Sequence, residues 1–268
     1  MASVPPRKLA VVTGASAGIG LELARECVEH DFDLVICAED HGIHNAAEHL
    51  AKSGAFVLPV QADLSMYDGV KTLYQAIVDT GRHVDALLLN AGVGVGGAFL
   101  VNDLEQELKM IRLNVESVVH LSKLILPMMV NRRQGHVLIT ASVASTSPAP
   151  YLAVYGATKA FDLMFAEALR YELDDTGVTV TALQPGATDT EFFDRAGMQT
   201  TKVDQRDKDD PAAVAKRGVE AMLAGKDKVF GASMKAKMEG LIGELLPEPT
   251  KAKMQGKQTE PGSAKHKH

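Results

Sequence analysis

Three side chains in the middle of the sequence have the types and the spacing that proton transfer needs. Tyr155 and Lys159 are four residues apart, so they share one face if this segment is helical. A free tyrosine has a pKa of about 10, and a neighbouring ammonium lowers that pKa because it stabilises the phenolate. Ser142 follows the apolar segment His136–Thr140, where its hydroxyl would face the same edge of a sheet. These residues predict a tyrosine acid or base, although a Tyr–Lys pair by itself is also common on helix surfaces.

A second set of residues has the pattern of a nucleotide-binding turn. Thr13, Gly14, Gly18 and Gly20 follow a short apolar segment and precede a helical pattern, with the spacing Thr-Gly-x3-Gly-x-Gly. Glycine permits a tight turn and lets the backbone approach a phosphate. The helix that follows offers free N–H groups and the positive end of its dipole to a pyrophosphate. The alternative is a glycine turn with a purely structural role.

Short apolar segments alternate with longer helical patterns along the whole chain, and these elements must position the groups above. Consecutive Val, Ile and Leu residues are typical of strands that are covered on both faces. The predicted strands are Leu9–Thr13, Asp33–Cys37, Ala55–Pro59, Ala86–Leu89, His136–Thr140, Val178–Leu183 and Val229–Phe230. The clearest helices are Ile19–Glu29, Leu108–Asn131 and Val154–Asp174. This alternation predicts an α/β fold with one doubly wound parallel sheet of about seven strands, flanked by helices.

No Pro/Gly-rich linker divides the chain before residue 247, so residues 1–250 are predicted to form a single domain. Residues 187–210 contain no strand pattern but carry many charges and the apolar Phe192, Phe193 and Met198. This segment lies beyond the carboxyl end of a predicted strand, where ligands bind in parallel sheets, so it is predicted to be a substrate lid. Residues 251–268 contain five lysines and one acid and have no apolar periodicity, which predicts a disordered basic tail.

Composition excludes several classes of protein. Of the 268 residues, 46% are hydrophobic and 23% are charged, which is typical of a globular chain. The net charge of −6 argues against nucleic acid as a partner, and no apolar run reaches the ~18 residues of a membrane span. The two cysteines, Cys27 and Cys37, are too few for a disulfide framework, so a reducing, cytoplasmic compartment is expected. The histidines show no metal-ligand spacing, and no metal is predicted.

These motifs, in this order, resemble the classical branch of the short-chain dehydrogenase/reductase family, from about Lys8 to Phe230. The resemblance implies a Rossmann-like fold, a bound NAD(H) or NADP(H), and a catalytic tetrad of Asn114, Ser142, Tyr155 and Lys159. It also implies cofactor contacts from the glycine turn, from the ends of four further strands, and from Tyr155 and Lys159 of the tetrad. Those contacts are Gly14, Ser16, Gly18, Ile19, Gly20, Glu39, Asp63, Leu64, Asn90, Ala91, Gly92, Pro185, Gly186 and Thr188.

The resemblance also implies a role for each member of the tetrad. Tyr155 exchanges a proton with the substrate oxygen, and Ser142 donates a hydrogen bond to that oxygen. Lys159 binds the cofactor ribose and lowers the pKa of Tyr155, while Asn114 supports a water on the proton path. The expected activity is therefore interconversion of a secondary alcohol and a ketone, with a small-molecule carbonyl or alcohol as substrate. A non-catalytic dinucleotide-binding scaffold or redox sensor is the alternative.

Two further expectations concern the cofactor and the assembly. Ala17 and Glu39 occupy positions where relatives that bind the phosphorylated cofactor carry cations, so NAD(H) is favoured over the alternative, NADP(H). The two long helices have apolar residues beyond one face, and relatives use this helix pair as a subunit interface. A homodimer or homotetramer is therefore expected.

Overall fold

Seven strands run parallel in one sheet in the computed structural model, which describes residues 7–205, 207–231 and 246–264. Their order across the sheet is β3-β2-β1-β4-β5-β6-β7. Successive strands are therefore added on one side of β1 up to β3 and on its other side from β4 onward, which makes the position between β1 and β4 the topological switch point. The strands are β1 Lys8–Thr13, β2 Phe32–Ala38, β3 Val57–Gln61, β4 Ala86–Leu89, β5 Gly135–Thr140, β6 Val178–Gln184 and β7 Lys228–Phe230. The predicted Rossmann-like doubly wound sheet is confirmed.

Helices cover both faces of the sheet. In chain order they are α1 Gly18–Glu29, α2 Gly42–Ala51, α3 Tyr67–Asp79, α4 Leu104–Ile111, α5 Ser117–Arg132, α6 Ala153–Glu172, α7 Phe192–Arg195, α8 Pro211–Leu223 and α9 Glu248–Thr259. Alternate residues of each strand face opposite sides, so Leu9 and Val11 pack against α3 and α5 while Ala10 and Val12 pack against α1 and α8. Two apolar layers therefore hold the sheet rigid beneath the edge where its strands end.

The third strand lies two residues later than the predicted segment Ala55–Pro59. Pro59 sits inside the strand because β3 is the edge of the sheet, where a residue without an N–H leaves no ladder partner unsatisfied.

The long helix before β5 begins earlier than predicted and is not uniform. It begins at Leu104, where the Asp103 carboxylate accepts a hydrogen bond of 3.0 Å from the Gln106 amide and caps the first turn. A π-helical turn, Arg112–Glu116, separates α4 from α5. By length and composition the run Leu104–Arg132 resembles a membrane span, but half of its most apolar window is buried inside the protein. Within this run, Val118, Leu121, Ile125 and Met129 of α5 pack in the core beside the sheet.

The prediction of a disordered tail is wrong for the residues that the structure describes. Residues 248–259 form α9, where Lys251 is buried and pairs with Glu248 at 2.9 Å. The Thr259 hydroxyl donates to the carbonyl of Pro150 at 2.6 Å. The tail is ordered because it binds distant parts of the chain, which a search for local periodicity does not detect. Residues 265–268 of the predicted tail, and residue 206 of the predicted lid, lie outside the described residues.

Candidate active site

Side chains join the carboxyl ends of β1, β4 and β5 at the topological switch point of the sheet. The Thr13 hydroxyl oxygen accepts hydrogen bonds from the amides of Asn90 and Ala91, at 2.9 and 3.0 Å. The Asn90 side chain donates to the Thr13 carbonyl at 3.2 Å and accepts from the Thr140 hydroxyl at 3.2 Å. Ligands of parallel sheets bind at such a point, and here three strand ends are held in fixed positions.

The glycine turn fits a dinucleotide. Gly14 and Gly18 have φ values of +68° and +57°, which favour glycine, and a Cβ at Gly14 would stand 2.9 Å from the Ala91 Cα. Among the described residues no side chain caps α1, and its first turn contains no acid. The N–H groups and the positive dipole end of α1 therefore remain available to a pyrophosphate. The Ile19 side chain packs against the core behind the turn.

A cluster of charges flanks the end of β2, where the adenosine half of a dinucleotide would lie. The carboxylate of Asp40 accepts a hydrogen bond of 2.7 Å from the Ser16 hydroxyl of the glycine turn. The Lys109 ammonium lies 2.8 Å from Glu39 and 3.3 Å from Asp63. Burial alone would raise the pKa of Asp63, but hydrogen bonds from Ser65 and the charge of Lys109 bring it below its ordinary value. Leu64, by contrast, is buried in the core.

A short 3₁₀ turn, Val143–Thr146, positions Ser142. The Ser142 hydroxyl oxygen accepts from the Ala144 amide at 3.1 Å, and the Ser142 amide donates to the Ser145 hydroxyl at 3.1 Å. Ser145 in turn donates to the carbonyl of Lys159 at 2.8 Å. Ser145 therefore couples the turn that carries Ser142 to the helix that carries Lys159.

Lys159 is anchored inside the protein rather than extended into solvent. Its ammonium donates to the Thr140 carbonyl at 2.8 Å and to the Asp162 carboxylate at 3.0 Å. Only 5% of Lys159 and 1% of Asp162 is exposed to solvent. Burial alone would lower the pKa of Lys159, but Asp162 and Tyr155 raise it above its ordinary value, so the ammonium stays charged.

Asn114 lies in the π-helical turn and is fully buried. Its side-chain oxygen accepts from the Val93 amide, and its nitrogen donates to the Val93 carbonyl and to the Thr158 hydroxyl, each at 3.0 Å. A Cβ at Gly92 would lie 3.2 Å from the Asn114 oxygen and 3.3 Å from the Lys159 nitrogen. Asn114, Gly92 and Lys159 are thus close neighbours.

Tyr155 is half-buried at the start of α6, with its ring 5.1 Å from the ring of Phe192. Its pKa is raised above the ordinary value because the surrounding protein shields the phenolate from water. Lys159 and a hydrogen bond with Ser142 act in the opposite direction without overcoming this effect. Lys159 therefore lowers the pKa of Tyr155 as predicted, but burial outweighs that contribution and the net shift is upward.

The turn after β6 meets the same edge of the sheet. The Val143 amide donates to the Pro185 carbonyl at 3.0 Å, and the Thr188 hydroxyl donates to the Gly186 carbonyl at 3.1 Å. Ser142 and Pro185 are thereby held side by side.

The segment that follows packs over the site through apolar residues. Phe193, Ala196 and Met198 are buried against Leu152, and Phe192 covers Tyr155. The Gly96 amide donates to the Ala196 carbonyl at 2.9 Å. The C-terminal residues fasten this segment through backbone hydrogen bonds: the amides of Val203 and Ala264 donate to the carbonyls of Gln258 and Thr200, respectively.

Three residues of the site have no counterpart in the sequence motifs: Asp162, Ser145 and Lys109. Asp162 was detectable as an acid within an apolar stretch of helix, three residues after Lys159. Ser145 is one of many small polar residues in its loop, and Lys109 meets Glu39 from 70 residues away. Within the described ranges, no group of three or more His, Cys, Asp or Glu residues is arranged to hold a metal.

The sequence and the structure were compared with those of known proteins. The model of the short chain dehydrogenase family matches residues 8–201. A short-chain type dehydrogenase/reductase of Sinorhizobium fredii is 36% identical over 187 residues, which cover 69% of this chain and 72% of that protein. A short-chain dehydrogenase of Sphingobium yanoikuyae in complex with NADPH is 28% identical with a TM-score of 0.79, covering 88% of this chain and 92% of that one. A Burkholderia phymatum member in complex with NAD shares the fold at 24% identity, with a TM-score of 0.78 over 88% of this chain and 92% of that one.

Proposed function

The chain belongs to the short-chain dehydrogenase family, and from that premise we propose that it interconverts a secondary alcohol and a ketone with NAD(H). One observation carries the proposal. Ser142 and Tyr155 lie beside the buried Lys159 and Asn114, at the sheet edge where the uncapped N-terminus of α1 is also directed. The proposed proton donor and the turn proposed to bind a dinucleotide thus lie at one edge of the sheet, which supports the proposal.

A nicotinamide dinucleotide, when bound, would supply the hydride for reduction or accept it in oxidation. The glycine turn would hold its pyrophosphate, and Lys159, with two of its three N–H donors engaged by Thr140 and Asp162, has one left for the ribose. Ser142 would orient the substrate oxygen by a hydrogen bond. Tyr155 would donate its proton to that oxygen during reduction and recover it through Lys159 and the Asn114 region.

The choice of NAD(H) over NADP(H) rests on charge. Glu39 and Asp63 flank the Lys109 ammonium at the adenosine end, and the carboxylate of Asp40 lies at the glycine turn, where it accepts from Ser16. Lys109 was not anticipated as a cation here, but it is shared between two acids and leaves the cluster negative. A 2′-phosphate would be repelled, while an acid can accept from a free 2′-hydroxyl. Titration of both reduced cofactors tests this: tighter binding of NADPH than of NADH would contradict it.

We further propose that residues 187–210 form the substrate lid. Phe192 places an aromatic ring beside Tyr155, which favours ketones with an aliphatic or aromatic substituent. Hydrogen bonds join residues 200 and 203 of this lid to residues 258 and 264 near the C-terminus.

A homo-oligomer is also proposed, and burial distinguishes which apolar residues of the two long helices could form its interface. Val118 and Leu121 are buried within the chain's own core, so they do not contribute to an interface. Phe161 and Met164 of α6 are exposed, at 37% and 57%, and they remain the apolar surface to be covered.

The alternative of a non-catalytic scaffold makes a different prediction for turnover. Consumption of NADH would be followed with a panel of aliphatic and aromatic ketones, aldehydes and quinones. Turnover of a ketone supports the enzyme, whereas tight binding of NADH without turnover of any compound favours the scaffold.

A further inference from the structure

The buried carboxylate of Asp162 has no role in the proposed chemistry, yet it contacts a central part of the site. It lies on α6 three residues after Lys159, and its Oδ2 is 3.0 Å from the Lys159 ammonium. Its second oxygen, Oδ1, is buried and has no hydrogen-bond partner among the described residues. Burying a carboxylate with one unpaired oxygen costs desolvation free energy. This cost indicates that Asp162 has a function beside Lys159.

The three ionisable groups on this face of α6 form one coupled set. Lys159 contacts Asp162 directly, and both act on the phenol of Tyr155. In the described part of the chain, the polar groups that contact them from other elements carry no charge: Thr140 of β5 accepts from Lys159, and Ser142 of the 3₁₀ turn bonds Tyr155. Asn114 of the π-helical turn is also uncharged and bonds the neighbouring Thr158. Among the residues described, the charge balance around Tyr155 is therefore set by one ammonium and one carboxylate.

We propose that Asp162 is a positioning residue that fixes the Lys159 ammonium and offsets its positive charge, so that Tyr155 holds its proton to a higher pH and acts as the acid in carbonyl reduction. This inference rests on the proposed function. Two hydrogen bonds, to Asp162 and Thr140, hold the ammonium in one orientation before a cofactor arrives. The adjacent carboxylate cancels much of the field that would otherwise draw the proton from Tyr155.

The sign of the effect follows from charge. Without the carboxylate, Tyr155 and Lys159 share an uncompensated positive charge, so the coupled pair loses its first proton at a lower pH. This holds whichever of the two groups releases that proton. The same sign is found in the intact site, where Asp162 raises the pKa of Tyr155 and the pKa of Lys159.

The test uses Asp162→Asn, which keeps the size of the side chain and removes its charge. Ionisation of Tyr155 is measured from the tyrosinate absorbance, as the difference between each protein and the same protein carrying Tyr155→Phe. The pH dependence of kcat/KM for ketone reduction is measured in parallel. Glu167→Gln is the matched control, because Glu167 lies on the same helix but pairs with Lys228 at the surface, 3.5 Å away.

We expect the Tyr155–Lys159 pair in Asp162→Asn to lose its first proton at a pH lower by about one unit, which corresponds to a tenfold change in the protonation equilibrium. The alkaline limb of the reduction profile should shift equally, and Glu167→Gln should change neither. An unshifted tyrosinate titration in Asp162→Asn would overturn the inference. If Asp162→Asn does not fold, Asp162→Val replaces it in the same measurements.

The two parts of the experiment separate this inference from the proposed function. If the unaltered protein reduces no ketone, the proposed function fails, but the absorbance titration still decides the role of Asp162. If ketones are reduced and the titration does not shift, the inference alone fails.

Discussion

Replacing Lys159 by methionine should destabilise the protein through Asp162. The substitution keeps most of the side-chain volume but leaves a carboxylate that is 1% exposed without its only ionic partner among the described residues. Removing one member of a buried ion pair costs about 3–5 kcal/mol. In a chain of this size that corresponds to a fall in Tm of roughly 6–20 °C. Thermal unfolding followed by circular dichroism at neutral pH would measure it.

The rescue experiment identifies the cause. In Lys159→Met/Asp162→Val the charges of this ion pair are both removed, so most of the lost stability should return while catalysis stays absent.

The pH dependence of the stability of Lys159→Met gives a second check. Burial already raises the pKa of Asp162 above its unfolded value, so the carboxyl group is tolerated when protonated and becomes destabilising as pH rises through its folded pKa. The deficit of Lys159→Met should therefore shrink on acidification. A single variant as stable as the unaltered protein, or a double variant no more stable than the single, would refute this reasoning.

Three further outcomes are expected. Burial raises the pKa of Cys27 and Cys37 to about 12, so neither thiol should react with a disulfide reagent until the protein unfolds, and rapid labelling of the native chain would contradict this. Light scattering should give at least twice the chain mass of 28.6 kDa, and Met164→Glu should lower that value. Truncation after Pro247 removes the contacts that hold the lid, so KM for the ketone should rise several-fold while NADH affinity stays the same; an unchanged KM would show that the lid needs no such support.

The fold was predictable because its signals are local and repeated. Strands such as Ala86–Leu89 are apolar at every position, since helices cover both of their faces, and the predicted bounds agree with the structure. Where tertiary context decides, the prediction is less accurate. The edge location of β3 permits Pro59 inside a strand, and the π-helical turn around Asn114 depends on its buried hydrogen bonds to Val93 and Thr158.

The candidate site was predictable to the extent that its residues form motifs. Tyr155, Lys159 and the glycine turn stand at fixed spacings, and the structure brings them to one edge of the sheet. The groups that adjust them do not form motifs: Asp162 changes the charge around Lys159, and Lys109 reaches Glu39 only in the folded chain. The pKa of Tyr155 depends on burial, which spacing does not report.

The most direct test of the proposed activity is the rate of ketone reduction by Tyr155→Phe. This substitution removes the transferable proton and keeps the ring that packs on Phe192. If Tyr155 is the general acid, kcat should fall by roughly 10²–10⁴ while the Kd for NADH stays unchanged. Retention of most of the activity by Tyr155→Phe would contradict the assignment and with it the proposed mechanism.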